Sequence, residues 1–507
     1  MPEFIKAYIA IMFLSTVAFY YAKKVTSNVL PEKEFKLYKN SWYILTSLAF
    51  LTMNYWLFWG LSLLLVATRV KKALYPTGLY MAIIAAVPPI NAALSGFGLI
   101  NYLMYVDYLV MLSMALLLVI FLKIQSSHLP LGRIKTDIFV ISYLLLNIIL
   151  NVSGTTFTDI LRQSAVLFLS NFLPYYVLSR AIRDKDQLKV TLGAFVFACF
   201  PAAIIGFFEA AKGWLLYSSL QSSLNQYWAF GGYLSRDGAL RASASFGHSI
   251  AFGFVMAIGM GVYLYIQTTI KQKTTKLIGF GIMALGLIAP LSRGPWVGAA
   301  ALVTIYLYLG KNGVSNLLKL MMGGLLVLSF VLVLPFGDKI INLIPFVGKT
   351  DSQNMDYRQQ LLDASMIVIA KSPIFGNKHY ADEPEMQKMI QGEKIIDLVN
   401  IYVSVLLNTG IVGLFLYSFI FISACFLTYK SMRKIKSVDY ELFQIGQSLL
   451  SILIAIMIMI SALSDQLIIP YLYYATVGIS VAYAQVVKKA LQLYLNAGSV
   501  GSIRSSV

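Results

Sequence analysis

Residues 277–310 read LIGFGIMALGLIAPLSRGPWVGAAALVTIYLYLG, two apolar runs joined by almost nothing. Lys271, Lys273 and Lys276 precede the stretch and Lys311 follows it, while a single charge, Arg293, sits in the connection. A spanning helix takes about 20 predominantly apolar residues, and basic residues collect on the cytoplasmic side of a membrane. The stretch therefore reads as a hairpin of two spanning helices, its ends in the cytoplasm and its turn on the opposite face.

The same pattern extends in both directions. Further apolar runs lie near 4–22, 77–96, 101–122, 136–152, 163–179, 189–209, 246–267, 315–335, 401–428, 443–463 and 467–487. The stretch 41–68 is too long for one upright helix. Lys36 and Lys39 before it and Arg69, Lys71 and Lys72 after it make it a tight hairpin with both ends inside. The expected fold is an all-α polytopic membrane protein with about 14 transmembrane helices. The first run lacks a strongly basic start and an A-x-A site, so it reads as a retained helix rather than a signal peptide.

Composition agrees. The chain is 58% hydrophobic and only 12% charged, against about 25% charged in a soluble domain. The net charge of +18 does not form a nucleic-acid stripe, because the basic residues fall in short clusters between apolar runs. The clusters 23–39, 69–72, 123–135, 180–189, 271–276, 311–319, 430–436 and 488–504 hold 27 of the 40 basic residues. Threading the spans alternately puts all of them on one side, which orients the chain as a multi-pass protein of a plasma membrane.

Two long segments remain on the outer face, 210–244 and 337–399. The second contains LLDASMIVIA and EMQKMI, apolar stretches of helical character, and reads as a folded cap. The chain thus divides into an N-terminal bundle (1–336) with the outer loop 210–244, a cap (337–399), and C-terminal helices with a cytoplasmic tail (400–507). Long loops in compact proteins are usually functional or disordered, which places the expected chemistry outside the cytoplasm.

Neither a metal nor a nucleotide cofactor is expected. Cys199 and Cys425 fall inside apolar runs, and His128, His248 and His379 are too scattered for a metal cluster. The D-x-D at Asp184–Asp186 lies in a basic inner loop and reads as a solvated charge run. Walker A, G-x-G-x-x-G and G-x-S-x-G patterns are absent.

The ionisable residues at the outer rim are Asp107, Arg162, Glu209, Arg241, Arg293, Arg358, Asp397 and Asp465. Ionisable groups at spans are costly and mark function. For Arg293 the alternatives are a snorkelling arginine and an anion ligand. Arg241 opens LRASASFGHSIAFG, a small-residue entry into a helix whose N–H groups suit a phosphate. Arg358 lies in MDYRQQLLDAS and alone would be a solvated charge. Together the three fit a phosphate-bearing ligand, because guanidinium forks bind phosphate oxygens in pairs. His248 and His379 are possible bases.

RASASFGHSIAFG, LSRGPWVGAA, DYRQQLLDASMIVIAKSPIFGNKHY and GEKIIDLVNIYVSVLLNTGIVGL occur in an order and spacing that resemble the O-antigen ligase/polymerase family of bacterial cell-envelope glycosyltransferases. The likeness covers about 160–430. It implies a GT-C-type architecture with a large extracytoplasmic loop in the bacterial inner membrane, with the active site facing the periplasm. It also implies transfer of a glycan from undecaprenyl diphosphate to a sugar hydroxyl without metal or nucleotide. The diphosphate arginines map onto Arg241, Arg293 and Arg358, and the acceptor-side motif onto Asp397, Asn400 and Tyr402. Glu209 and His248 join the substrate-binding set. A flippase and a chain-length regulator would be partners, beside membrane lipid.

One departure bears on the reaction. Ligases of the family read His-Asn-x-Tyr-Leu where this chain reads Val399-Asn400-Ile401-Tyr402-Val403. With the histidine replaced by Val399, Asp397 is the nearest titratable group and Asp356 the second choice. The expectation is accordingly a polymerase of lipid-linked repeat units. The alternatives are a ligase to lipid A-core and, in a different class, a transporter of the same lipid-linked sugars.

Overall fold

Apolar length decides most of the helices. The computed structural model describes residues 1–507 apart from 97, 99–100, 125–128, 153–154, 227–231, 237, 334–351, 391–395 and 505–507. His128 and parts of the expected cap therefore lie outside the described residues. The principal helices are α1 (Glu3–Thr26), α2 (Glu32–Leu51), α3 (Tyr55–Lys72), α4 (Tyr108–Lys123), α5 (Lys135–Leu150), α6 (Phe157–Leu167) and α7 (Leu173–Ala181). They continue with α8 (Lys185–Lys212), α9 (Ser249–Thr269), α10 (Lys273–Ile288), α11 (Arg293–Leu309), α12 (Gly313–Val333) and α13 (Ser352–Lys371). The last three are α14 (Ile401–Ile435), α15 (Tyr440–Met459) and α16 (Ile468–Arg504). Among the described residues, five helices are apolar enough by length and composition to cross a membrane: α1, α8, α9, α14 and Tyr440–Ala462, which contains α15.

The bundle is built around α8 and α9, whose side chains are buried over most of their length. The first packs against α1 and the short helix Pro76–Ile83, the second against α10, α11 and α15. Small residues allow the close approach: Gly253 faces the Pro295 ring and Gly259 the Cys199 sulfur. Close packing of this kind is what joins helices where water supplies no drive.

The 41–68 stretch is a helix–turn–helix. Asn54 breaks it, its side chain accepting from Leu57 N at 3.0 Å, so that the basic ends of α2 and α3 lie together.

Full spans over 77–96 and 101–122 are not formed. The helix stops at Ile83, strand Ala92–Ser95 pairs antiparallel with Tyr102–Val106, and helix resumes only at Tyr108. Pro88 and Pro89 supply no N–H and disfavour helix before them. Residues 84–90 are buried while the strand pair is mostly half-buried or exposed, and Tyr55 Oη meets the backbone at both ends, donating to Ile90 O at 3.2 Å and to Val106 O at 2.5 Å. Such backbone persists at membrane depth only inside protein. Among the described residues the other strands are the pair Ser235–Arg236 and Ala239–Leu240.

Charges hold the basic end of the bundle. Lys185 pairs with Asp439 at 2.6 Å and Glu441 at 2.9 Å, and Lys189 with Glu441 at 2.9 Å, tying the start of α8 to the start of α15. Asp137 is fully buried, accepting from Arg180 Nη2 at 2.7 Å and Tyr175 Oη at 2.5 Å. That pairing joins α5 to α7, and removing one partner would strand a buried charge.

At the opposite end α13 and the turn Pro384–Gln387 form a small second core of Leu361, Val368, Met386, Leu398 and Leu407. The chain after α13 then lies along a break in α14. Asn377 N donates to Leu407 O at 2.7 Å, Ile411 N to Pro373 O at 2.9 Å and Val412 N to Ile374 O at 3.3 Å. Gly410 makes the break, with φ 62° and ψ −166°. A Cβ there would meet the Ile374 backbone, so glycine is required on both counts.

Candidate functional site: an arginine-lined turn

The connection between α10 and α11 is as short as the sequence implied. Leu291 bridges it in a left-handed conformation, φ 46°, and Ser292 precedes the first residue of α11, Arg293. Trp296 Nε1 donates back to Leu287 O at 2.8 Å and closes the two helices over the turn.

The outer loop is fastened to this turn. Arg236 Nη1 donates to Leu291 O at 2.6 Å and Arg241 Nε to Pro290 O at 3.3 Å. Between the backbones, Ala242 N donates to Ala289 O at 3.2 Å, while Arg241 N meets Leu234 O at 2.9 Å. Arg241 and Arg293, which sequence reading paired, thus belong to one small region, and a third arginine, Arg236, reaches it too. Arg236 was not singled out in the sequence. The available signal was the Asp-Gly turn dipeptide at 237–238; in the structure Ser235–Arg236 pairs with Ala239–Leu240, and Arg236 and Arg241 both bond the turn.

Glu209, at the last turn of α8, sets the loop's path. One carboxylate oxygen accepts from Leu216 N at 3.0 Å, the other from Ser243 N at 3.2 Å and Ala244 N at 2.8 Å. Its side chain is buried and serves the backbone on both sides of the outer loop. His248 caps α9, Nδ1 accepting from Ile250 N at 3.2 Å, and lies within electrostatic reach of Arg241.

The acceptor-side residues form a second group. Asn400 caps α14, its side-chain oxygen accepting from Tyr402 N at 3.0 Å and Val403 N at 3.3 Å. Tyr402 Oη donates to Met457 O at 3.0 Å and links α14 to α15. Asp397 accepts from Ser464 Oγ at 2.8 Å, which binds the end of the cap to the turn before α16. Tyr473 Oη donates to Asp465 in the same turn.

Arg358 and Asp356 are exposed on α13, and no hydrogen bond or ion pair among the described residues ties either to the arginine turn. His379 is also exposed, 3.7 Å from Asp382. Asp107 caps α4, accepting from Val110 N at 2.8 Å. Arg162 pairs with Asp159 at 2.5 Å and donates from Nε to Leu103 O at 2.9 Å, holding α6 to the first hairpin. Among the described residues no group of three His, Cys, Asp or Glu side chains is disposed around a metal position.

The turn gathers positive charge from two loop arginines beside a helix start. Arg236 and Arg241 from the loop 210–244 bond the carbonyls of the turn that leads into Arg293, the first residue of α11, and backbone N–H groups and the helix dipole add positive potential at that helix start. Residues 278–418 match the family model described as O-antigen ligase, which supports the O-antigen ligase/polymerase family. The match includes Arg293, Arg358, the described cap and the Asp397–Tyr402 segment. No curated protein matches the chain.

Proposed function

We propose that this chain is a membrane glycosyltransferase that polymerises undecaprenyl-diphosphate-linked oligosaccharide repeat units on the extracytoplasmic face. The observation that carries the reading is the convergence of Arg236 and Arg241 on the turn that leads into Arg293, within or beside a segment matching a family of glycan-assembling membrane enzymes.

In the proposed reaction the diphosphate of the donor lies against these arginines. An acceptor hydroxyl oxygen attacks the anomeric carbon and forms the new glycosidic bond. The bond from that carbon to the phosphate oxygen breaks, and undecaprenyl diphosphate leaves as the anion. The hydroxyl proton passes to Asp397. Arginines fixed in advance stabilise the charge that grows on the leaving group, the preorganised form of electrostatic catalysis. The cap orients the acceptor, so that part of the barrier is met by positioning alone. A diphosphate is a good leaving group once its charge is neutralised, and a weak carboxylate base is then sufficient.

The family description favours a second reading, ligation of finished glycan to an acceptor lipid. Val399 in place of the ligase histidine weighs against it. The deciding experiment supplies purified protein with one defined lipid-linked repeat unit and resolves the products on a gel. A ladder supports polymerisation. A single product formed only when an acceptor lipid is added supports ligation, and no product from folded protein under either condition overturns both.

A further inference from the structure

Away from the arginine turn, a cavity of about 400 Å³ opens at the same end of the molecule. That is within the range of about 300–1,000 Å³ typical of small-molecule sites. Four separate segments build it: the strand Tyr102–Val106, the end of α5, α6, and the cap residue Lys378. A void assembled from parts so distant in sequence is held open by specific contacts.

Arg162 is the main strut. Its guanidinium lies 4.0 Å from the centre of the Tyr102 ring, pairs with Asp159 at 2.5 Å, and donates to the carbonyls of Tyr102 and Leu103. The second strut crosses from the cap. Lys378 Nζ donates to Asn147 Oδ1 at 2.9 Å, while Asn147 Nδ2 donates to Tyr143 O at 2.9 Å. An ammonium has three donors, so Lys378 keeps hydrogens to offer a ligand. Burial pushes its pKa down to about 8, which marks it as a group taken from water into a shaped site.

The remaining lining defines the ligand chemistry. Asn151 and Gln163 bring amides, each of which both donates and accepts, as sugar hydroxyls do. Tyr102 and Tyr105 add aromatic surface, with Tyr105 54% exposed. Rings of this kind pair an apolar face with a polar edge and suit the C–H face of a pyranose. A diphosphate fits poorly, because the Arg162 fork is already engaged and the Asp159 carboxylate lines the same cavity. Asp159 instead is an acceptor for hydroxyl groups.

We infer that this cavity is a saccharide subsite, which takes a sugar residue of the glycan through Lys378, Asn151, Gln163 and the Tyr102–Tyr105 surface. This rests on the glycosyltransferase reading for its biological ligand but not for its chemistry. Lys378 of the cap stands in its wall, and in the proposed reaction the cap orients the acceptor, so the subsite would select the acceptor rather than activate the donor.

The test uses the full chain in lipid nanodiscs with methyl glycosides of glucose, galactose, N-acetylglucosamine and glucuronic acid, and separately with pyrophosphate. Saturation-transfer NMR reads binding. At least one glycoside should show saturation, reduced fivefold or more in Lys378→Met and in the surface variant Gln163→Ala. Arg293→Ala should keep the glycoside signal while losing ladder formation. Absence of saturation for every glycoside, displacement of bound glycoside by pyrophosphate alone, or wild-type signal in both pocket variants would each overturn the subsite. If no ladder forms with wild-type protein yet the glycoside signal drops in Lys378→Met, the subsite stands and the transferase reading falls. If the wild type forms a ladder while glycoside binding is unchanged in the pocket variants, the subsite falls and the transferase reading stands.

Discussion

Arg236 donates from Nη1 to the carbonyl of Leu291 at 2.6 Å, and this one bond fastens the outer loop to the turn that carries Arg293. Leu291 holds a left-handed backbone, φ 46°, a conformation that costs a non-glycine residue free energy and persists only when its surroundings enforce it. The guanidinium therefore stabilises the shape of the turn, and in the proposed reaction it also adds charge to the anion site.

Replacement of Arg236 tests both roles. A hydrogen bond from a charged group contributes about 1.5–3 kcal/mol. Arg236→Ala should lower the rate of ladder formation by roughly one to two orders of magnitude. Arg236→Lys should recover only part of it, because an ammonium lacks the fork. Membrane-inserted protein yield is the control; rates equal to wild type would remove Arg236 from the site.

Glu209→Gln leaves the loop volume unchanged but weakens acceptance from Leu216, Ser243 and Ala244. Loss of satisfied bonds to a buried group costs about 1–3 kcal/mol. The expected outcome is a lower thermal midpoint in detergent and a raised KM for lipid-linked donor, since Arg241 is two residues from Ser243. Unchanged midpoint and KM would show that the loop holds its path without the carboxylate.

Gly410→Ala should disrupt the cap. The residue combines φ 62° with direct backbone contact to Ile374, so the new methyl group meets both strain and collision, about 1–3 kcal/mol for the strain alone. Limited proteolysis should then cut within 372–400 at protease levels that leave the wild type intact. Equal resistance would show that the 374–376 segment can move aside.

The Lys378 ammonium supplies a pH signature. Its pKa falls from 10.5 to about 8 in the folded chain because burial penalises the charge. Between those values the unfolded chain binds more protons than the folded one, so this group makes stability rise with pH. Its folding cost is present in full below about pH 8. The wild-type thermal midpoint, taken relative to Lys378→Met, should climb from pH 8 toward 10. A flat difference would show that the lysine titrates as it does in water.

Asn54 and Lys378 mark how far the sequence reads. That 41–68 turns back was legible from the basic residues at both of its ends, but the position of the break, at Asn54, came from the structure. Arg293 was legible for a similar reason, being the single charge between two apolar runs. The first β-hairpin was not, since Ala92–Ser95 and Tyr102–Val106 are as apolar as the helices around them. Hydropathy measures whether a segment leaves water and not how it satisfies its backbone.

The sequence by itself determined a helical membrane chain and singled out the candidate arginines at 241 and 293. Those properties depend on the solvent each segment prefers, and solvent preference is a sum over local residues. Only the tertiary structure decided that Arg236 shares their turn, that Glu209 shapes the loop from below, and that Lys378 meets Asn147 across 231 residues. These follow from packing between distant segments, where a contact depends on which faces meet and not on the composition of either.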